Sequence, residues 1–106
     1  KNFRVYVTSD HGNIEANGCG HPTEGVVADL RGERVRIYPD ETLRAKVKDL
    51  FPEAMEWPAI GLPENYLPVL APGRMAFVNE RKKTVCHGGV SMEELIVPLV
   101  QIGRKA

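Results

Sequence analysis

The sequence predicts a mixed α/β fold in a single domain, and three observations support this class. The chain has 106 residues, the size of one domain. Short runs of β-branched and aromatic residues alternate with turns, and one longer segment has the spacing of an amphipathic helix. Ten glycines and eight prolines indicate that many residues lie in turns. The expected fold therefore has about five short strands, one clear helix and a proline-rich cover.

The first predicted strand, residues 3–8, is rich in β-branched and aromatic side chains and ends at the sequence Ser9-Asp10-His11-Gly12. Residues 12–33 contain five glycines, and we predict a long loop with little regular structure there. The second predicted strand, residues 34–38, alternates polar and apolar side chains and ends at a proline.

The clear helix is predicted over residues 40–51. Asp40 is a favourable N-cap, the following apolar residues recur at helical spacing, and Pro52 ends the helix. Residues 52–74 contain five prolines, which exclude a long helix or a central strand. Because this segment is also rich in apolar side chains, we expect an irregular cover that packs on the core.

Two further strands are predicted at residues 75–79 and 83–87, joined in a hairpin by a short charged connection. The capping-box pattern Ser91-Met92-Glu93-Glu94 predicts a short helix. The last apolar stretch, residues 95–102, is expected to form the fifth strand, with Pro98 at an edge or bulge.

Composition excludes several classes of protein. Fourteen basic residues balance fourteen acidic residues, which argues against a broad basic surface for nucleic acid. No apolar run approaches the roughly 18 residues of a membrane span, so no membrane partner is expected. Two cysteines do not make a disulfide framework, and a reduced cytoplasmic protein is therefore expected.

Three residues form the candidate metal site. Asp10 and His11 end one predicted strand, and His87 ends another, each time before a glycine. Carboxylate and imidazole ligands suit Zn²⁺ or Mn²⁺, and strand ends are a common place for ligand sites in α/β proteins. The alternative is an Asx turn at Asp10 with a surface histidine, and spacing alone leaves both interpretations open.

A rival cluster consists of Cys19, His21, Cys86 and His87. These are four potential ligands for a closed zinc site, but they lack the usual spacing of paired zinc ligands. Cys86 and His87 are also adjacent, so they would point to opposite faces of a strand. This makes a thiolate zinc site the less favoured interpretation.

Several segments carry a resemblance to a known family. Residues 7–13, VTSDHGN, resemble the T-[SA]-D-H-G-[NS] motif of the alkaline phosphatase superfamily. Residues 87–99 contain the pattern HGGxSxEExxVP and resemble, more narrowly, the end of PglZ domains, as do residues 32–38 and 73–78. The similarity covers nearly the whole chain, and the ordered combination of motifs is specific.

The resemblance implies an alkaline-phosphatase-like α/β sandwich around a mostly parallel sheet, and a phosphoesterase with two divalent metal ions, Zn²⁺ or Mn²⁺. Asp10 and His11 would ligate one ion, and His87 the other. In the family the nucleophile and the remaining ligands lie upstream, so no catalytic residue is assigned to this chain. Residues 1–106 are therefore expected to be the C-terminal portion of such a domain. Alone it would be nearly inactive, with metal sites that are weak or unoccupied.

The implied activity of the full domain is phosphatase or phosphodiesterase chemistry on phosphoesters or nucleotides, in bacterial phage defence or signalling. Its partners would be proteins of a defence system, and an exposed sheet surface would favour self-association. Two alternatives remain: a non-catalytic binding or scaffold module of a defence complex, and a small zinc-binding protein.

Overall fold

The computed structural model describes residues 2–22 and 30–104 and has the expected mixed α/β class. The described residues form nine strands and two helices, which is more strands than the five expected. In chain order the elements are β1 (Val5–Thr8), β2 (Ile14–Gly18), β3 (Leu30–Arg31), β4 (Val35–Tyr38), α1 (Glu41–Leu50), β5 (Met55–Glu56), β6 (Leu67–Leu70), β7 (Met75–Ala76), β8 (Lys83–Cys86), α2 (Met92–Leu95) and β9 (Leu99–Ile102).

The described strands form three small sheets. One contains β1 and β9, the second has the order β7-β2-β8, and the third has the order β3-β4-β6-β5. All described pairs are antiparallel except β2 with β7. This pairing differs from the mostly parallel sheet that the resemblance implies. Parallel neighbours need long crossover connections, usually helical, and α1 is the only long helix among the described residues.

Helix α1 confirms the prediction for residues 40–51. Asp40 has extended backbone angles, and its carboxylate accepts a hydrogen bond from the Leu43 N–H at 2.9 Å. Glu41 in the first turn and Lys48 in the last turn complement the helix dipole. Val47 is the fully buried residue of the helix and packs in a cluster with Tyr38 and Phe77.

Residues 12–33 are not an irregular loop, because the structure places β2 and β3 within them. In β2 the side chains of Ile14 and Ala16 are buried, whereas Glu15 and Asn17 are exposed. Small residues and the surrounding glycines hide this period-two pattern in the sequence. The prediction of a loop was therefore wrong where β2 lies. Residues 23–29 of the predicted loop lie outside the described residues.

The proline-rich segment also contains more regular structure than predicted. Strand β6 includes Pro68 and lies between β4 and β5, so the exclusion of a central strand was wrong. The Pro68 carbonyl accepts a hydrogen bond from the Trp57 N–H at 3.1 Å. The nitrogen and the carbonyl of a residue in an antiparallel strand point to the same side. The Pro68 nitrogen therefore points, like its carbonyl, toward the chain just after Glu56, the last residue of β5, and away from β4. The missing N–H therefore does not interrupt the β4–β6 ladder.

Strands β7 and β8 do not pair as the predicted hairpin. Strand β2 lies between them, parallel to β7 and antiparallel to β8. The turn between them is closed instead by a hydrogen bond from the Lys82 N–H to the Asn79 carbonyl, and the Gly18 N–H donates to the Lys82 carbonyl. The sequence therefore predicted both strands correctly, but not that each of them pairs with β2.

The core is divided into two clusters. One contains Tyr38, Val47, Ala54, Val69, Ala71 and Phe77, and the other contains Ile14, Ala16, Ala76, Val78 and Cys86. Strands β1 and β9 lie outside both clusters and pair with each other, and every residue of the two strands is exposed. Among the described residues, neither helix has the length and apolar character needed to cross a lipid bilayer.

Candidate functional site

The first part of the site is the turn that follows β1. The Asp10 carboxylate accepts a hydrogen bond from the His11 N–H at 3.0 Å, and the Ser9 hydroxyl donates to the His11 carbonyl at 2.6 Å. The Asp10 carboxylate bonds to the N–H of the next residue, whereas an Asx turn requires the N–H two residues on, and the Gly12 N–H donates to the Glu94 carbonyl instead. The Asx turn predicted as the alternative at Asp10 is therefore not formed, and the two local bonds hold the backbone of His11.

The His11 ring has a defined orientation. Its Nδ1 lies 2.8 Å from the Gly12 carbonyl oxygen. Because a carbonyl oxygen only accepts, this contact requires the proton on Nδ1, and in the neutral ring the lone pair is then on Nε2. The Nε2 atom lies 3.6 Å from Asp10 Oδ1. A backbone carbonyl on one ring nitrogen is the usual support for a histidine that binds metal through the other nitrogen.

His87 comes from a different sheet and meets His11 face to face. It follows β8 directly, at the edge of the sheet, and Gly88 after it has a φ of +105°, in the region that favours glycine. The rings of His11 and His87 are stacked, with centroids 3.7 Å apart and planes inclined by 14°. The structure therefore brings together the two histidines selected from the sequence, with Asp10 beside one of them.

The donor set fits a divalent ion in its chemistry. Two tetrahedral ligand atoms on Zn²⁺ lie about 3.3 Å apart when each bond is about 2.0 Å, and the 3.6 Å between His11 Nε2 and Asp10 Oδ1 is close to that distance. Among residues 2–22 and 30–104, no three His, Cys, Asp or Glu side chains form a metal-holding group. Metal ligation by Asp10, His11 and His87 stays a prediction.

The turn at His11 is held against α2 by close backbone packing. The Gly12 N–H donates to the Glu94 carbonyl at 2.8 Å. A Cβ atom on residue 12 would lie 1.8 Å from the Glu93 carbonyl oxygen, so only glycine fits there. The glycine after the histidine therefore permits the contact between the β1 turn and the backbone of α2.

The burial of two charged residues in this region was not expected from the sequence. Arg34 begins the segment 34–38, whose alternation of polar and apolar residues predicts an exposed arginine, yet Arg34 and Glu94 are each only 2 % exposed and form an ion pair with a 2.9 Å contact. Burial alone raises the pKa of Glu94, but hydrogen bonds from Arg34, Ser91 and Gly89 outweigh it and lower this pKa to about 2. The capping-box pattern was the available signal for Glu94, whereas Arg34 had none.

The thiolate zinc site is not supported by the packing. Cys86 is buried in the cluster around Ile14, and Cys19 packs against the other cluster. As predicted, Cys86 and His87 face different environments, one buried and one exposed. Burial raises the pKa of both thiols, which disfavours the thiolate that zinc requires. His21 is exposed.

Comparison with known proteins gives one match. The family model described as "BREX system PglZ alkaline phosphatase-like domain" matches residues 1–102. No curated protein and no solved structure matches the chain significantly.

Proposed function

Since the chain belongs to the PglZ family of alkaline phosphatase-like domains, we propose that it supplies part of the metal site of a phosphoester hydrolase. Asp10 and His11 would hold one divalent ion and His87 a second, with Zn²⁺ or Mn²⁺ as the ions that suit these ligands. When bound, two such ions would neutralise charge on a phosphoryl group and activate the attacking nucleophile.

The observation that carries this proposal is the stack of His11 on His87. Nitrogen lone pairs lie in the ring plane, so two stacked imidazoles direct their lone pairs side by side rather than toward one point. The stack therefore favours one ion for each histidine over a single shared ion.

The nucleophile is proposed to come from another part of the domain. Two hydroxyl groups lie near the candidate ligands, but both donate to backbone carbonyls: Thr8 to Pro98 at 2.8 Å and Ser9 to His11 at 2.6 Å. Their hydrogen bonds support a structural role for each. We therefore assign no catalytic residue to this chain and expect it to bind metal weakly and to be nearly inactive alone.

The proposed substrates are phosphoesters, including nucleotides, because bound ions supply positive charge that the electrically neutral chain lacks. The family description names the BREX system. The proposal accordingly includes a role in bacterial phage defence with protein partners of that system.

A metal titration tests the proposal. Isothermal titration of the protein with Zn²⁺ and with Mn²⁺ should detect binding that falls by more than about tenfold in Asp10→Asn, His11→Ala and His87→Ala. His21→Ala is the matched control, since His21 is an exposed histidine outside the stack. Equal affinity in the wild type and in a His11→Ala, His87→Ala double variant would contradict the metal assignment.

An activity measurement on the same samples tests the position of the nucleophile. With bis(p-nitrophenyl) phosphate and saturating Zn²⁺ or Mn²⁺, hydrolysis should stay near the rate of the metal alone. Robust turnover that Asp10→Ala abolishes would place the nucleophile inside this chain and overturn that part of the proposal.

A second candidate function, a non-catalytic binding module of a defence complex, is favoured by the exposed β1–β9 ladder. Val5, Val7, Val100 and Ile102 form one entirely aliphatic face and are each about half exposed. Such a face favours contact with protein, and self-association through it is part of this candidate. An Asp followed by Thr or Ser upstream in the full protein, with a later Asp-x-x-x-His, would favour the hydrolase instead.

A further inference from the structure

Glu94 connects the two loops that carry the stacked histidines. Its side chain is buried at the base of the loop that follows His87. Oε1 accepts hydrogen bonds from the Gly89 N–H and from Arg34 Nε, both at 2.9 Å. Oε2 accepts from the Ser91 N–H at 3.0 Å and from Arg34 Nη2 at 3.2 Å. The carboxylate therefore holds the backbone two residues and four residues after His87.

The backbone of the same residue holds the other loop. The Glu94 carbonyl accepts the hydrogen bond from the Gly12 N–H at 2.8 Å, directly after His11. One residue thus contacts both loops, through its side chain on the His87 side and through its main chain on the His11 side. This division has a useful consequence, because a substitution of the side chain removes the first contact and leaves the second.

Arg34 attaches this arrangement to the rest of the fold. Besides its two bonds to Glu94, its guanidinium donates to the carbonyls of Ala71 and Met75. Arg34 directly precedes β4, Ala71 directly follows β6, and Met75 begins β7. The carboxylate of Glu94 is therefore fixed to three strand ends that do not belong to the histidine loops.

We propose that Glu94 is a positioning residue of the metal site, which holds His87 in its stack against His11 by fixing the loop at Gly89. Glu94 touches neither imidazole among the described contacts, so it acts through the backbone. The metal-binding part of this inference rests on the proposed function, whereas the stacking part does not.

The test compares Glu94→Gln and Glu94→Ala with Glu93→Gln. Glu93 is the adjacent residue of α2, exposed, and paired with Arg74 at the surface, so it controls for the loss of one charge on the helix. In Glu94→Gln one carboxylate oxygen becomes an NH2 group, which faces a donor of Arg34 and the N–H of either Gly89 or Ser91. The hydrogen bonds of the side chain are therefore impaired while its size is kept. This milder variant decides the question if Glu94→Ala does not fold.

Two readouts are measured on each protein. In the metal-free state, NMR detects NOEs between the ring protons of His11 and His87; these should be lost in the Glu94 variants and kept in Glu93→Gln. The amide resonance of Gly12 should move little in all variants, because its bond to the Glu94 carbonyl remains. In a Zn²⁺ titration, affinity should fall about 10–100-fold in the Glu94 variants only.

The two readouts separate the possible failures. Retention of the His11–His87 NOEs in Glu94→Gln, with Zn²⁺ affinity within threefold of Glu93→Gln, would overturn the inference. If the wild type binds no Zn²⁺ but the NOEs are lost in the Glu94 variants, the positioning of His87 stands and the proposed metal function fails. A threefold loss or less in Zn²⁺ affinity despite loss of the NOEs would also overturn the metal-binding part of the role.

Discussion

At the scale of single residues, the buried ion pair of Glu94 and Arg34 has a strong dependence on pH. The pKa of Glu94 is lowered to about 2 because the hydrogen bonds to the carboxylate outweigh the effect of its burial. A carboxyl group with a lowered folded-state pKa stabilises the fold above its ordinary pKa, and this contribution is lost as pH falls toward the folded-state value.

Acid should therefore remove a defined part of the stability. A shift from 4.5 to about 2 corresponds to a contribution on the order of 3 kcal/mol. It should be complete at pH 7 and decline from about pH 4.5 down to pH 2. Urea unfolding at pH 7 and pH 3 should show a larger loss for the wild type than for Glu94→Gln. An equal loss in both proteins would contradict this, and Glu93→Gln should follow the wild type.

The residues of the site were predictable to different degrees. The candidate residues Asp10, His11 and His87 could be selected because the pair Asp10-His11 and the single His87 each lie at the end of a predicted strand and before a glycine, which is a local signal. Arg34 could not, because its neighbourhood alternates polar and apolar residues and so predicts a solvated arginine. Its burial depends on Glu94, which is distant in the sequence, and on carbonyls at the ends of two other strands. Local patterns carry no information about such partners.

At the scale of elements, the helix α1 shows how far local signals reach. Its start, its buried face and its end were all predictable, since the cap, the apolar spacing and the following proline act within the segment itself. The N-cap bond from the Leu43 N–H to Asp40 is the contact that defines its first turn.

Removal of this cap should destabilise the protein measurably. Asp40→Ala should lower the free energy of unfolding by about 1 kcal/mol, whereas Asp40→Asn should retain most of it, since asparagine is an equally good N-cap. Asp49→Ala, near the other end of α1, is the control with the same chemical change and should stay within about 0.5 kcal/mol of the wild type. Chemical denaturation measures all three, and equal losses for Asp40→Ala and Asp49→Ala would contradict the capping role.

Strand pairing could not be predicted in the same way. The segments that form β7 and β8 were recognisable, but the insertion of β2 between them depends on a strand that precedes them by many residues. Turn length indicates only which neighbours are able to pair. The small residues of β2 weakened its own signal, so the sequence patterns favoured a hairpin that the fold does not contain.

At the scale of the whole molecule, the chain is elongated. Its radius of gyration is 17.7 Å and its principal extents are 61 × 34 × 19 Å, whereas a compact domain of this length has a radius of about 13 Å. Most of the buried apolar residues lie in the two clusters, whereas every residue of the β1–β9 ladder is exposed on both faces. Stability should therefore be distributed very unevenly.

Two substitutions should reveal this distribution. Phe77→Ala removes one of the largest fully buried side chains and should cost about 3–5 kcal/mol. Val7→Thr, in the exposed ladder, should change the free energy of unfolding by less than about 0.5 kcal/mol. Guanidinium denaturation of both variants measures the contrast. A comparable loss for the two would mean that the ladder is packed on the rest of the molecule.

The pairing of β1 with β9 also determines when the site can assemble during folding. These strands come from distant parts of the chain, and closing so large a loop costs conformational entropy before any hydrogen bond offsets it. The contact of Gly12 with Glu94 and the stack of His11 on His87 close the same loop. Helix α1 and the sheet β3-β4-β6-β5 are more local and can form earlier, whereas β2 and β8 are almost as distant in the sequence as β1 and β9. We therefore expect the imidazoles to meet late in folding, together with the pairing of β2 and β8. Because the residues of β1 and β9 are all exposed, we expect this end of the molecule to open first in the native state.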